Sequence, residues 1–152
     1  MSTTIANVTC VAVRGRAIVI EGAPGSGKSE LAIALIDRGA VLVGDDGMTV
    51  EARGGQAIAS PPPNIAGKLE VRGVGIIDLP TTSAPIALVL RLVEDAPRYP
   101  LEIGTSEIAG VVIPCLPFTA GDAIQALRAE YALEKHGLPL PHPGGSNDML
   151  AP

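Results

Sequence analysis

Aromatic side chains are nearly missing: they make up 2% of 152 residues, with no tryptophan, two tyrosines and one phenylalanine. The 47% of residues that are hydrophobic must therefore build a core from valine, isoleucine, leucine and alanine. Excess positive charge is missing too. A formal net charge of −5 argues against a duplex-coating protein, which needs a basic face, so nucleic acid is not an expected partner and any polyphosphate must be held by local charge. Cys10 and Cys115 are the only cysteines, too few for a disulfide framework or a zinc site. They read as small core residues in a reducing cytoplasm. The first residues lack a charged and apolar leader, and no run approaches the ~18 apolar residues of a membrane span, so a soluble protein with no membrane partner is expected. The length is most simply one domain, expected over residues 1–136, with 137–152 as a flexible tail.

What is present begins at Gly22. The segment Gly22-Ala23-Pro24-Gly25-Ser26-Gly27-Lys28-Ser29 has the spacing of a P-loop, in which glycines let consecutive backbone N–H groups converge on phosphate oxygens. Lys28 is expected to reach the β- and γ-phosphates and Ser29 to ligate Mg²⁺. The apolar run Ile18-Val19-Ile20 before it and Leu31, Leu35 and Ile36 after it supply the strand and helix that the motif requires. The helix start adds unpaired N–H groups and the positive end of its dipole.

Along the chain, residues 8–13 and 17–21 flank Arg14-Gly15-Arg16 as a hairpin leading into the P-loop. The first helix is expected to end at Gly39 as a left-handed C′ residue. Val41-Leu42-Val43 reads as a buried strand emerging at Gly44-Asp45-Asp46-Gly47, and a second hairpin turns at Gly54-Gly55. Pro61-Pro62-Pro63 marks a loop. Residues 67–78 have glycines too close for a helix and acids too regular for a core strand, and read as functional backbone. Residues 86–92 and 111–113 are further strands. A last helix is expected from Thr119, as cap, to His136, with Asp122 in its first turn and Ile124, Leu127 and Tyr131 on one face.

An acidic pair at the end of the strand directly after the P-loop helix, followed by Leu69-Glu70-Val71-Arg72-Gly73-Val74-Gly75-Ile76-Ile77-Asp78, resembles the catalytic domain of HPr kinase/phosphorylase. The last segment resembles the signature of that family. The resemblance is dense from Gly22 to Pro80 and looser to His136. It implies an α/β fold, a P-loop kinase core with a mixed β-sheet related to phosphoenolpyruvate carboxykinase. The activity implied is ATP-dependent phosphorylation of a serine of HPr, the phosphocarrier of the bacterial sugar phosphotransferase system, in homo-oligomers that are commonly hexamers. Without the extra N-terminal domain of many members, the chain resembles the short alphaproteobacterial form.

Residue by residue, the resemblance makes Asp46 the base, with Asp45 beside it raising basicity or orienting the serine or a metal-bound water. It makes Glu70 the second Mg²⁺ contact beside Ser29. It also implies an arginine on the transferring phosphoryl group, in an Arg-x-Pro setting after a strand. Arg98-Tyr99-Pro100 fits that setting, and Arg72 is the second candidate. The last helix is a candidate HPr-facing surface.

Two departures stand out. Asn7 occupies the position of a family histidine, and asparagine neither gains charge nor shuttles a proton; His136 and His142 do not replace it. Residues 113–122 lack the basic segment that longer members link to dephosphorylation. Kinase activity is therefore expected to dominate, with phosphorylase activity weak or absent. A small-molecule P-loop kinase and a non-catalytic ATP-binding regulatory protein are the competing readings. The first usually needs a lid with several arginines, and the arginines here are scattered.

Overall fold

A computed structural model describes residues 2–140. The elements run β1 (Ser2–Ala6), β2 (Val8–Val13), β3 (Arg16–Glu21), α1 (Lys28–Asp37), β4 (Val41–Gly44), β5 (Gly47–Arg53), β6 (Gln56–Ser60), β7 (Lys68–Val71), β8 (Gly75–Asp78), β9 (Ala84–Leu92), β10 (Gly104–Ile108), β11 (Val111–Phe118) and α2 (Gln125–His136). Both expected hairpins form. Arg14 and Gly15 turn β2 into β3 with φ of 50° and 86°, and Gly54 and Gly55 turn β5 into β6 with φ of 61° and 81°. Paired positive φ values match the right-handed twist of the flanking strands.

Seven strands lie in the order β1-β5-β6-β9-β3-β2-β4, and β11 joins β9 with β10 outside it. The sheet is mixed: β3 and β11 run parallel to β9, and the other main pairings are antiparallel. Strand β9 pairs with β6 through Ala84 and Pro85 and with β11 through residues 89–92. The sheet thus forks along β9 and curls. Strands β2 and β3 are consequently buried on both faces. Val11, Val13, Ile18 and Ile20 pack toward the helices with Leu31, Leu35, Leu88, Leu90 and Leu133. Cys10, Ala12, Ala17 and Val19 pack into a second core with Met48, Val50, Ile86, Ile113 and Cys115. The scarcity of aromatics is met by this double layer of aliphatic side chains.

Helix α1 ends as expected. Gly39 has φ of 111°, its N–H donates to Ile36 O at 2.9 Å, and Ala40 N–H donates to Leu35 O at 3.1 Å. The second helix differs from its expectation. Thr119 does not cap it; its Oγ1 accepts from Ala96 N–H at 2.9 Å and donates to Glu94 O at 3.2 Å. Asp122 Oδ1 accepts from Ile124 N–H at 3.1 Å instead, so regular helix begins at Gln125. The buried face is Ala126, Ala129, Ala132 and Leu133, whereas Ile124 and Tyr131 are exposed. Small alanines let α2 approach α1, and Arg38 clasps Glu130 across the gap at 3.0 and 2.9 Å.

Residues 67–78, expected to be neither helix nor core strand, form a separate two-stranded sheet of β7 and β8. Alternation sorts its faces: Leu69 and Ile77 turn inward, while Glu70 and its cross-strand neighbour Ile76 are exposed. Strand β1 carries no such local signal and emerges only in the folded chain, whereas β10 joins β11 in a third hairpin that turns at Ala109 and Gly110 with φ of 52° and 79°. Of the expected tail, residues 137–140 begin against the body, since Leu138 N–H donates to Ala87 O at 2.9 Å and Leu138 O accepts from Arg16 at 3.1 Å. Residues 141–152, with His142, lie outside the described residues.

Candidate active site

Between β3 and α1 the chain makes the turn that the P-loop spacing demands. Gly27 has φ of 103°, a conformation that costs a side-chain-bearing residue about 1 kcal/mol or more, and the first turn of α1 has no side-chain cap. Its free N–H groups are left for an anion. Ser26 Oγ is buried without a hydrogen-bond partner. Lys28 Nζ donates to Gly22 O at 2.9 Å and Ala23 O at 3.2 Å, so the ammonium is held over its own loop, at the place where phosphate binds in this motif.

The acidic pair follows β4. Gly44 permits the tight turn, because a Cβ there would lie 2.1 Å from Gly47 O. The two carboxylates then diverge. Asp45 is half-buried, and its Oδ1 accepts hydrogen bonds from Ser29 Oγ at 2.8 Å and Thr9 Oγ1 at 3.0 Å. Asp46 is exposed in the left-handed region with φ of 63°, its backbone carbonyl accepting from Asn7 N–H at 3.2 Å. Asn7 itself adopts φ of 65°, which asparagine tolerates better than most residues.

A cavity of about 420 Å³ gathers these groups: Pro24, Gly25, Gly27, Lys28 and Ser29 of the loop, then Asp45 and Asp46, and Glu70 and Arg72 of the hairpin. Glu30 also lines it and pairs with Arg72 at 3.5 Å. Four carboxylates face two cations, so a bare polyphosphate is disfavoured and a polyphosphate carrying a divalent cation fits. Among the described residues no group of three or more His, Cys, Asp or Glu could hold a metal alone. Oxygen donors such as the Ser29 hydroxyl and these carboxylates suit a hard divalent cation that draws its remaining ligands from phosphate or water.

Residues 1–84 match the HPr Serine kinase C-terminal domain family. The chain belongs to that family. It is 49% identical over 71 residues to the HPr kinase/phosphorylase of Clostridium tetani, covering 47% of this chain and 23% of that protein. To the HPr kinase/phosphorylase of Chlorobium phaeobacteroides it is 30% identical over 139 residues, covering 81% of this chain and 41% of the relative. The chain thus spans well under half the length of these curated relatives. The solved structure of the Hpr(Ser) kinase/phosphatase from Coxiella burnetii superposes with a TM-score of 0.75 at 31% identity, covering 88% of this chain and 95% of that one.

Within this HPr kinase-type fold, Lys28, Ser29, Asp45, Asp46 and Glu70 come together, and Arg98 does not. Arg98 lines a separate cavity of about 470 Å³ with Phe118, Arg128, Tyr131 and His136, its guanidinium 5.9 Å from the Tyr99 ring centroid. The loop after β9 first passes the P-loop, where Val93 and Glu94 line a cavity with residues 23–26, and then carries Arg98 to the α2 side. The arginine in that cavity is Arg72. Sequence reasoning missed Thr9, whose signal was a lone hydroxyl in an otherwise apolar strand, and the Glu30–Arg72 pair. Among the described residues no helix is long and apolar enough to cross a membrane.

Proposed function

We propose that this chain is an ATP-dependent protein serine kinase acting on HPr, the phosphocarrier of the bacterial sugar phosphotransferase system. One observation carries the reading: a single cavity holds the P-loop, the Asp45-Asp46 pair and the Glu70–Arg72 hairpin in a chain of the HPr Serine kinase C-terminal domain family. Residues 22–29 cradle the ATP phosphates through backbone N–H groups, and Lys28 exchanges its loop carbonyls for phosphate oxygens. Ser29 and Glu70 would hold Mg²⁺, which would supply neutralisation of the phosphate charge. Asp46, exposed and without a side-chain partner among the described residues, accepts the proton of the acceptor serine as its oxygen attacks the γ-phosphorus and ADP departs. Arg72, rather than Arg98, serves the transferring group, releasing Glu30 to meet the charge that develops there.

Phosphorylase activity is weak in this reading, supported by Asn7 at the histidine position and by residues 113–122, which carry no basic side chain. The setting is cytoplasmic, the core is related to that of phosphoenolpyruvate carboxykinase, and the partners are HPr and copies of this chain in a homo-oligomer. The exposed Tyr131 of α2 and Ile124 just before it offer apolar surface for one of them. Asn7 also favours a second reading, a non-catalytic ATP-binding regulator.

Transfer of labelled γ-phosphate from Mg·ATP to purified HPr, comparing wild type with Asp46→Asn while measuring ATP binding of both, separates the two. Serine phosphorylation that falls by about 10²-fold or more in the variant, with ATP binding retained, is the expected result. ATP binding without transfer in the wild type supports the regulator.

A further inference from the structure

Thr9 is the only polar residue among the described residues that is buried like the core, at 1% exposure. It sits on β2, all six of whose residues are buried, where valine would fill the same volume. A buried hydroxyl without a partner costs about 1–3 kcal/mol, and Thr9 meets that cost by donating to Asp45 Oδ1 at 3.0 Å. The contact depends on a β-bulge. Cys10 pairs with Gly44 and Val11 with Leu42, so one extra residue of β4 is accommodated and the chain is displaced just before Asp45. The same carboxylate oxygen accepts the Ser29 hydroxyl at 2.8 Å. Oδ2 has no protein partner among the described residues.

We infer that Thr9 is a positioning residue for the divalent cation, acting through Asp45 on Ser29. The Thr9 hydroxyl fixes the rotamer of Asp45. Asp45 then fixes the proton of Ser29, since a hydroxyl rotor turns to suit its best acceptor. With its proton committed to Asp45, Ser29 keeps its lone pairs for a cation. This inference rests on the reading of the cavity as an Mg·ATP site. It divides the acidic pair: Asp45 is held by the Thr9 and Ser29 hydroxyls and serves the cation through Ser29, and Asp46 remains unencumbered for proton transfer.

The test is binding of ATP by calorimetry with Mg²⁺ and with EDTA, on wild type, Thr9→Val and Thr9→Ser, with thermal melts of each. Thr9→Val should lose about tenfold of the Mg²⁺-dependent gain in ATP affinity, the scale of one hydrogen bond to a charged acceptor, while affinity in EDTA stays within about twofold. Thr9→Ser, which keeps the hydroxyl, should retain the gain. A merely structural role would lower both affinities together, and that pattern overturns the inference. So does a full Mg²⁺ gain in Thr9→Val beside normal wild-type binding. Absence of Mg·ATP binding in the wild type overturns the cavity reading and this inference with it. Should Thr9→Val fail to fold, Thr9→Ala is judged by the same criteria.

Discussion

Asp46 is held against its own backbone preference. A non-glycine residue in the left-handed region costs about 1 kcal/mol, and its exposed carboxylate makes no hydrogen bond among the described residues that would offset this. The structural return at this position is confined to the backbone, where Asp46 O accepts from Asn7 N–H at 3.2 Å, so the turn does not need the carboxylate. Asp46→Gly should therefore leave stability unchanged or raise it by up to about 0.5 kcal/mol, read from the urea midpoint at unchanged slope, because the backbone entropy of glycine offsets about 0.5–1 kcal/mol of the relieved strain. The same variant should transfer no phosphate to HPr. A lower midpoint would mean that the carboxylate supports the turn. Residue identity at this site is legible in the sequence, because the P-loop spacing and a Gly-Asp-Asp-Gly strand end are local patterns. The choice between Arg98 and Arg72 is not, since it turns on where the loop after β9 travels.

Elements bounded by turn residues on both sides are the ones that can be read along the chain. The β2–β3 and β5–β6 hairpins follow from Arg14-Gly15 and Gly54-Gly55, and the end of α1 from Gly39. The β7–β8 hairpin escapes because only one of its faces meets the core and glycines flank its turn. Strand β1 is a polar edge whose pairing depends on the distant β5, and β10 is a polar strand whose turn into β11, Ala109-Gly110, lacks the paired glycines of Gly54-Gly55. The start of α2 escapes because Thr119 is recruited by the 94–96 loop. Glu70 and Arg72 inherit their positions from Leu69, which is 1% exposed in the helix-side core, whereas Ile76 is 70% exposed. Leu69→Ala should cost about 3 kcal/mol, as deletion of a buried leucine typically does, and should weaken Mg·ATP binding by loosening the hairpin. Ile76→Ala should change stability by less than about 0.5 kcal/mol. Urea melts of the pair check the facing directly, and equal costs would refute it.

At the scale of the whole molecule, a sheet covered on both faces explains why β2 and β3 show no polar alternation and why so few aromatics suffice. Which face each residue joins depends on the curl, which no local window encodes. The curl has a consequence for pH. Cys10 lies fully buried in the helix-free core, and burial pushes its thiol far above the ordinary range. Cys115 shifts in the same direction, chiefly by burial, with the nearby Arg91 opposing. In the unfolded chain both thiols lose their protons near pH 8.5–9 (about the usual value), while the folded state keeps that of Cys10. The folded state therefore binds more protons above that point, and stability present at neutral pH declines as pH rises, by up to about 1.4 kcal/mol per unit for Cys10. Urea midpoints between pH 8 and 10.5 should fall more steeply for the wild type than for Cys10→Ala, whose lower starting stability leaves the slope comparison intact. Parallel slopes would mean that the Cys10 thiol ionises as readily in the fold as out of it, and that the second core is open to water.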